Sequence, residues 1–180
     1  QILHIPRVLY HWRSHADSTA QSGSNKGYAL RVGQQVLNEH FQRMGIKATS
    51  ELLDFGMYRT RYDLPDALPL VSLIIPTRNG LSLLRQCIDS IVANTEYTNY
   101  EIIIIDNNSD DEDTLKYLKA ISREERIRVI RDTRPFNYSA LNNSAVVEAK
   151  GEFIGLINND IEVISPNWLS EMVSIASQPG

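Results

Sequence analysis

The sequence has one cysteine in 180 residues, Cys87, which excludes an internal disulfide. A lone thiol suits a reducing compartment. Cys87 lies within a helical pattern of apolar residues, and we interpret it as a core thiol rather than a nucleophile. Long apolar runs are also absent, since none approaches the roughly 20 residues of a membrane-spanning helix. The net charge is −4, so the basic face that is typical of nucleic-acid binding is not predicted.

Two common nucleotide-binding signatures are missing as well. No strand is followed by Gly-x-Gly-x-x-Gly and no Walker A sequence is present, which excludes that dinucleotide fingerprint and a P-loop. The composition, 42% hydrophobic and 22% charged, is that of a soluble globular protein. We expect a cytoplasmic protein, peripheral at the inner membrane face in its full-length form.

From residue 71 onward, short apolar runs alternate with helical patterns, which indicates an α/β fold with a mostly parallel, Rossmann-like sheet. The predicted strands are 71–75, ended by Pro76, then 101–105, 127–130 and 153–157. Helices are predicted after the loop 77–80, from a Ser109/Glu112 capping box, over about 138–149, and from Ser165 with Pro166 at the first helical position. We expect the strand order third, second, first, fourth, with a topological switch point between the first and fourth strands.

The first 70 residues carry weaker signals. Alternation over residues 8–12 favours a short strand. A helix is predicted from Ser24 or Asn25 to Met44, with Gly45 ending it. Residues 46–70 carry weak signals, and Pro65 and Pro69 bracket a predicted linker.

The most suggestive stretch is Asn158-Asn159-Asp160, which follows the fourth strand. Hard cations such as Mg²⁺ take oxygen ligands, often one or two carboxylates plus substrate phosphates. A short Asn/Asp cluster at a strand end therefore suits a metal-bound diphosphate, although Asn and Asp also favour plain turns. Thr77 and Asp106 follow other strands, so the three sites should converge on one edge. Asp106 is predicted either to contact a base or ribose or to cap the next helix.

Four motifs closely resemble family-2 glycosyltransferases of the GT-A fold, in the family's order and spacing over roughly residues 69–180. They are Val-Ser-Leu-Ile-Ile-Pro-Thr-Arg-Asn-Gly (71–80), Ile-Ile-Ile-Asp-Asn-Asn-Ser-Asp-Asp (103–111), Phe-Asn-Tyr-Ser-Ala-Leu-Asn-Asn (136–143) and Lys-Gly-Glu-Phe-Ile-Gly-Leu-Ile-Asn-Asn-Asp-Ile-Glu-Val (150–163). The resemblance implies transfer of a sugar from a nucleotide-sugar donor to a polysaccharide or lipid-linked glycan acceptor, with a divalent metal, Mg²⁺ or Mn²⁺. It also implies nucleotide contacts from Pro76, Thr77, Asn79, Asp106, Asn108, Asn143 and Asn158.

In the resembled family, residues 158–160 correspond to an Asp-x-Asp metal motif. Here Asn158 replaces the first aspartate, so Asp160 is the one charged metal ligand that the resemblance implies. Asn-Asn-Asp at this point is similar to bacterial members that build surface polysaccharides. The alternative from another class is a non-catalytic nucleotide-binding or scaffolding module.

The resemblance also predicts how the chain is organised. Residues 1–64 resemble the closing segment of a preceding transferase domain plus a linker, and 65–180 resemble the nucleotide-binding half of the next domain. The family's catalytic base lies well beyond the metal motif, so we expect it beyond residue 180. The incomplete sheet should expose apolar surface and favour self-association.

The first segment also contains His11 and His15, which are four residues apart. On a helix they could share a metal, but the surrounding aromatic residues fit a strand or loop better. By the resemblance, His11 and Arg13 would help close over a diphosphate in their own parent domain. A packed aromatic strand with a surface arginine is the alternative.

Overall fold

The computed structural model describes residues 4–11 and 27–179, which belong to two units, Gln1–Asp63 and Leu64–Gly180. In the first unit, helix α1 (Gly27–Met44) precedes an antiparallel hairpin of β1 (Ala48–Leu52) and β2 (Tyr58–Tyr62). Gly45 ends α1 with a φ of 67°, as predicted. The proposed N-caps Ser24 and Asn25 lie outside the described residues.

One expectation for this unit was wrong. Residues 4–11 form no strand, and Trp12 lies outside the described part. The β1–β2 hairpin lies in the stretch of weak signals, where no strand was predicted, and helix α1 holds it in place. Asn38 exchanges two hydrogen bonds with the backbone of Ser50, at 2.6 and 3.3 Å, and Gln34 donates to the same carbonyl at 2.8 Å.

The second unit contains a four-stranded parallel sheet of β3 (Val71–Thr77), β4 (Tyr100–Asp106), β5 (Ile127–Arg131) and β6 (Phe153–Leu156). Its order, β5-β4-β3-β6, confirms the predicted order and the switch point between β3 and β6. Pro76 does not end β3, contrary to expectation. The Ile74 carbonyl accepts from the N–H of Ile157, so it faces β6. The nitrogen of Pro76, two residues later in the strand, faces the same side, but it lies beyond the last residue of β3 that pairs with β6. A missing N–H costs nothing there.

Four helices connect or follow these strands: α2 (Leu81–Asn94), α3 (Glu112–Ile121), α4 (Tyr138–Glu148) and α5 (Trp168–Ala176). Two predicted helix starts need correction. Helix α3 is capped by Asp111, whose carboxylate accepts from Thr114 N–H at 2.8 Å, while the Ser109 hydroxyl is used elsewhere. Helix α5 begins at Trp168 rather than at Pro166, because the Pro166 carbonyl accepts from Glu96 N–H outside the helix.

The core lies on both faces of this sheet. On one face, α2, α3 and α5 pack against β3 and β4 and bury Cys87 completely, as predicted for a core thiol. On the other face, α4 packs Leu141 and Ala145 against isoleucines of β3 and β4. Strand β6 is less buried than predicted, because nothing described pairs with its outer edge and Leu156 is 50% exposed. Self-association through such surface stays a prediction. No described helix is long and apolar enough to cross a membrane.

Candidate functional site

A cavity of about 290 Å³ lies where β3, β4 and β6 end, at the switch point of the sheet. Its lining comes from four segments: the exit of β3, the residue after β4, the start of α4 and the turn after β6. The lining residues are Pro76, Thr77, Arg78, Asn107, Phe136, Tyr138, Leu141, Asn158, Asn159 and Asp160.

The turn after β6 is held by hydrogen bonds with two other elements, β3 and α2. Asn159 donates from Nδ2 to Thr77 Oγ1 at 3.0 Å, which joins the exits of β6 and β3. The Cys87 thiol donates to the carbonyl oxygen of Asn158 at 3.6 Å. Burial, reinforced by the nearby Asp160 carboxylate, raises the pKa of Cys87 to about 11, so the thiol stays neutral at ordinary pH. Asn158 and Asp160 are exposed and line the cavity.

Asn79 links the exit loops of β3 and β4. Its backbone N–H donates to Ser109 Oγ at 2.8 Å, and its side-chain oxygen accepts from the N–H groups of Asp110 and Asp111 at 3.0 and 3.1 Å. Its amide nitrogen donates to the Asp110 carboxylate at 2.8 Å. These bonds hold Asn79 in a left-handed conformation, with a φ of 52°. Its side chain is engaged within the protein and does not line the cavity.

Asp106 is 2% exposed, and both of its carboxylate oxygens have partners. One accepts from Ser109 N–H at 2.9 Å, and the other pairs with the Arg131 guanidinium at 2.7 Å. Arg131 also donates to the exposed Asn108 side chain at 3.1 Å. The alternative role for Asp106 as the cap of α3 was wrong, because Asp111 caps that helix. Arg131 went unnoticed in the sequence, although it is paired in register with Asp106 across β4 and β5.

The loop between β5 and α4 carries the aromatic part of the lining. Asn107 donates to the carbonyl oxygens of Asp132 and Arg134 at 3.2 and 2.9 Å, which ties this loop to the end of β4. The Arg134 guanidinium and backbone N–H donate to the Asp132 carboxylate and lower its pKa to about 2. Phe136, 68% exposed, lines the cavity from this loop, and Tyr138 does so from the first turn of α4.

The cavity thus contains only part of the predicted set. Pro76, Thr77, Asn158 and Asp160 line it, whereas Asp106, at the end of β4, and the loop residues Asn79 and Asn108 do not. Asn143 is exposed on α4 and is not in the lining. Sequence reasoning missed five further lining residues, although all fall inside the motifs quoted above: Arg78, Asn107, Phe136, Tyr138 and Leu141.

The donor set for a metal in this cavity is small. Asp160 supplies its one carboxylate and Asn158 an amide oxygen. Within residues 4–11 and 27–179, no cluster of three or more His, Cys, Asp or Glu side chains could hold a metal ion. His15 lies outside these ranges. One carboxylate still fits Mg²⁺ or Mn²⁺ where substrate phosphates and water complete the coordination.

Comparisons with known sequences agree with the resemblance. Residues 72–180 match the sequence model of the family described as Glycosyl transferase family 2. The uncharacterized protein y4gI of Sinorhizobium fredii is 47% identical over 182 residues, covering 100% of this chain and 20% of that protein. The O-antigen biosynthesis protein RfbC of Myxococcus xanthus is 36% identical, covering 98% of this chain and 14% of that protein. The chain therefore spans a fifth or less of these curated relatives.

A solved structure has a similar fold. The mannosyltransferase PcManGT from Pyrobaculum calidifontis, in complex with GDP-Man and Mn²⁺, aligns with a TM-score of 0.57 at 17% identity, covering 84% of this chain and 42% of that one. At this identity the likeness shows the fold alone, a parallel sheet flanked by helices of the GT-A type.

Proposed function

The chain belongs to glycosyl transferase family 2, and we propose that it forms the donor-binding part of an enzyme that transfers sugar from a nucleotide-sugar. The observation that carries this is the cavity at the switch point, which the Asp160 carboxylate and the Asn158 amide both line. Ligands of open α/β sheets bind at such a point. Membership of a transferase family does not favour the alternative of a scaffolding module.

The metal would be held by Asp160 and Asn158 together with the donor's phosphates. A divalent ion there supplies Lewis-acid neutralisation of the departing diphosphate. The chain's own residues position that diphosphate: the bond from Asn159 to Thr77 fixes the turn that presents Asp160. PcManGT, which was solved with Mn²⁺ and GDP-Man, supports the choice of metal and ligand class.

Around this centre, we assign nucleotide contacts to Pro76, Thr77 and Asn158 directly. Four residues outside the lining, Asn79, Asp106, Asn108 and Asn143, would contact a nucleotide that extends past the cavity. Asp106 would reach the base or ribose with a carboxylate that Arg131 and Ser109 already orient. The polysaccharide or lipid-linked glycan acceptor is proposed from RfbC, whose name assigns it to O-antigen synthesis.

For the chain itself we propose donor binding without turnover. Asp160 is the one carboxylate in the cavity lining, and it is assigned to the metal, which leaves no general base there. A general base is typically worth roughly 10²–10⁴-fold in rate. We further propose that residues 1–64 are the tail of a preceding transferase domain and that 65–180 are the nucleotide-binding half of another. Metal-dependent sugar transfer by the 180-residue chain would contradict both the missing base and this division.

Asp160→Asn tests the metal site. Isothermal titration of UDP, GDP and dTDP with Mn²⁺ should show affinity for at least one diphosphate in the original chain. The variant should lose roughly tenfold or more of it, since a hydrogen bond or contact to a charged group is worth about 1.5–3 kcal/mol. Asp113→Asn, an exposed change of the same charge on α3, is the matched control. Equal affinities for Asp160→Asn and the original chain would exclude Asp160 as a metal ligand.

Asp106→Asn tests the base or ribose contact. It should weaken a nucleoside and its diphosphate by similar factors, because neither the base nor the ribose depends on the metal. If the variant lowers only the melting temperature and leaves both affinities unchanged, Asp106 serves the fold alone.

A further inference from the structure

Arg78 is the one cationic side chain in the cavity lining. It is exposed, and its guanidinium forms no ion pair with any residue in the part of the chain that the structure describes. Three other arginines of this unit, Arg128, Arg131 and Arg134, each pair with a carboxylate. Two more, Arg85 and Arg126, lie over tyrosine rings. The cavity lining therefore contains one guanidinium that no carboxylate of the described residues pairs with.

The backbone that carries Arg78 is held firmly. The residue before it, Thr77, accepts from Asn159, and the residue after it, Asn79, makes four hydrogen bonds to residues 109–111. The next residue lies beside the turn after β6, since a Cβ built on Gly80 would stand 4.0 Å from Asn159 Nδ2. The base of the Arg78 side chain is thus fixed at the rim that also presents Asp160.

The charges of the site explain why a guanidinium is needed. Because Asn158 is neutral, Asp160 and one divalent ion together leave a single net positive charge. The diphosphate of a nucleotide-sugar carries two negative charges. Arg78 supplies the second positive charge, and a guanidinium suits phosphate because it donates two parallel hydrogen bonds.

We propose that Arg78 binds the diphosphate of the donor and provides an attachment that does not require the metal. The proposal rests on the proposed donor-binding function and adds a residue and a consequence to it. The diphosphate should bind to this chain even when the divalent ion is removed, with Arg78 as its main electrostatic contact.

The test compares Arg78→Gln with Arg123→Gln, an exposed arginine in the turn after α3 that gives the same change in net charge. UDP, GDP, dTDP and their parent nucleosides are titrated calorimetrically, once with Mn²⁺ and once with EDTA. Arg78→Gln should weaken diphosphate binding roughly tenfold or more in both conditions, as expected for loss of a charged hydrogen bond. Nucleoside affinity should change less than about twofold, and Arg78→Lys should recover part of the loss because it keeps the charge.

The outcomes distinguish a failure of this inference from a failure of the proposed donor-binding function. If Asp160→Asn loses affinity and Arg78→Gln does not, donor binding stands and the role of Arg78 is wrong. Equal losses for nucleoside and diphosphate would mean that the guanidinium packs on the base, which also overturns the proposal. Diphosphate binding that vanishes completely in EDTA contradicts a metal-independent contact. If the original chain binds none of the three diphosphates with Mn²⁺, both the function and the inference fail.

Discussion

Glu101, at the amino end of the parallel sheet, and Asp160, beyond its carboxyl end, differ in the partners that the protein supplies to their carboxylates. At the amino end, Glu101 is buried and accepts from the Ser72 hydroxyl at 2.7 Å and from Lys150 N–H at 2.8 Å, while Arg128 pairs with its other oxygen at 3.1 Å. At the carboxyl end, the exposed Asp160 has no hydrogen bond or ion pair within the described residues. The charge of Glu101 thus contributes to the fold, whereas that of Asp160 has no partner among the described residues.

The amino-end network also sets where β6 begins. Gly151 donates to Ser72 Oγ at 2.9 Å, and a Cβ at this position would lie 2.5 Å from the backbone nitrogen of Ser72. The chain can therefore enter β6 beside β3 only with glycine there. Because the entry is fixed by buried contacts, the exit of β6 can carry exposed polar residues without loosening the strand.

The largest effect should follow from breaking the amino-end network. Glu101→Ala leaves the buried Ser72 hydroxyl, Lys150 N–H and Arg128 without their acceptor, which should cost about 3 kcal/mol in the free energy of unfolding at pH 7. Urea denaturation measures this, with Glu125→Ala as an exposed control. A loss no larger than that of the control would show that the network does not stabilise the sheet.

The same variant has a predictable pH dependence. Burial alone would raise the pKa of Glu101, but the hydrogen bonds from Lys150 and Ser72 and the pairing with Arg128 lower it overall. A lowered carboxyl pKa contributes stability above the ordinary value near 4.3, and that contribution is lost as the pH falls through the folded value. The difference in the free energy of unfolding between the original chain and Glu101→Ala should therefore become smaller in acid.

Asp106 complicates the comparison, because it lies at the carboxyl end and yet has its charge satisfied by the protein. Arg131→Met removes the guanidinium from a carboxylate that is 2% exposed. Since Arg131 itself is 44% exposed, water compensates in part, and we expect a loss of about 2 kcal/mol. Urea denaturation against Arg123→Met checks this value. An unchanged urea midpoint would show that the Asp106–Arg131 pair does not stabilise the fold.

The order of the strands was predictable from the sequence, because apolar runs that alternate with helices leave few topologies. The positions at strand ends, Thr77, Asp106 and Asp160, followed from that order. The β1–β2 hairpin was not predictable from periodicity, because it depends on contacts from α1 to Ser50. The Asp106–Arg131 pair depends on the register of two strands that are 25 residues apart, and a single sequence does not state the register.

The lining of the cavity was harder to predict for a similar reason. The quoted motifs contain Arg78 and Phe136, but only the tertiary structure brings the exit of β3 and the loop before α4 to one cavity. The roles of the two neighbouring asparagines, 158 and 159, also differ only in the tertiary structure. Both line the cavity, but the side chain of Asn159 is bonded to Thr77.

A smaller effect is expected in the loop that carries Phe136. The pKa of Asp132 is lowered to about 2 by hydrogen bonds from Arg134. Its contribution is therefore present above the ordinary pKa near 3.9 and disappears as the pH falls toward 2. Asp132→Asn should lower the melting temperature slightly at pH 7 and not at pH 2. A difference of the same size at both pH values would show that charge is not the cause.

The smallest effect on stability should come from Asp160, a residue for which we propose a large effect on binding. Asp160→Asn removes a charge that has no partner in the described structure, and surface substitutions of this kind usually change stability by less than about 0.5 kcal/mol. Loss of this negative charge should also lower the pKa of the Cys87 thiol slightly, because Asp160 helps to raise it. Thermal denaturation without metal, followed by thiol titration, measures both quantities. A loss of stability comparable to that of Glu101→Ala would mean that Asp160 also supports the fold, and the contrast between the two ends of the sheet would no longer hold.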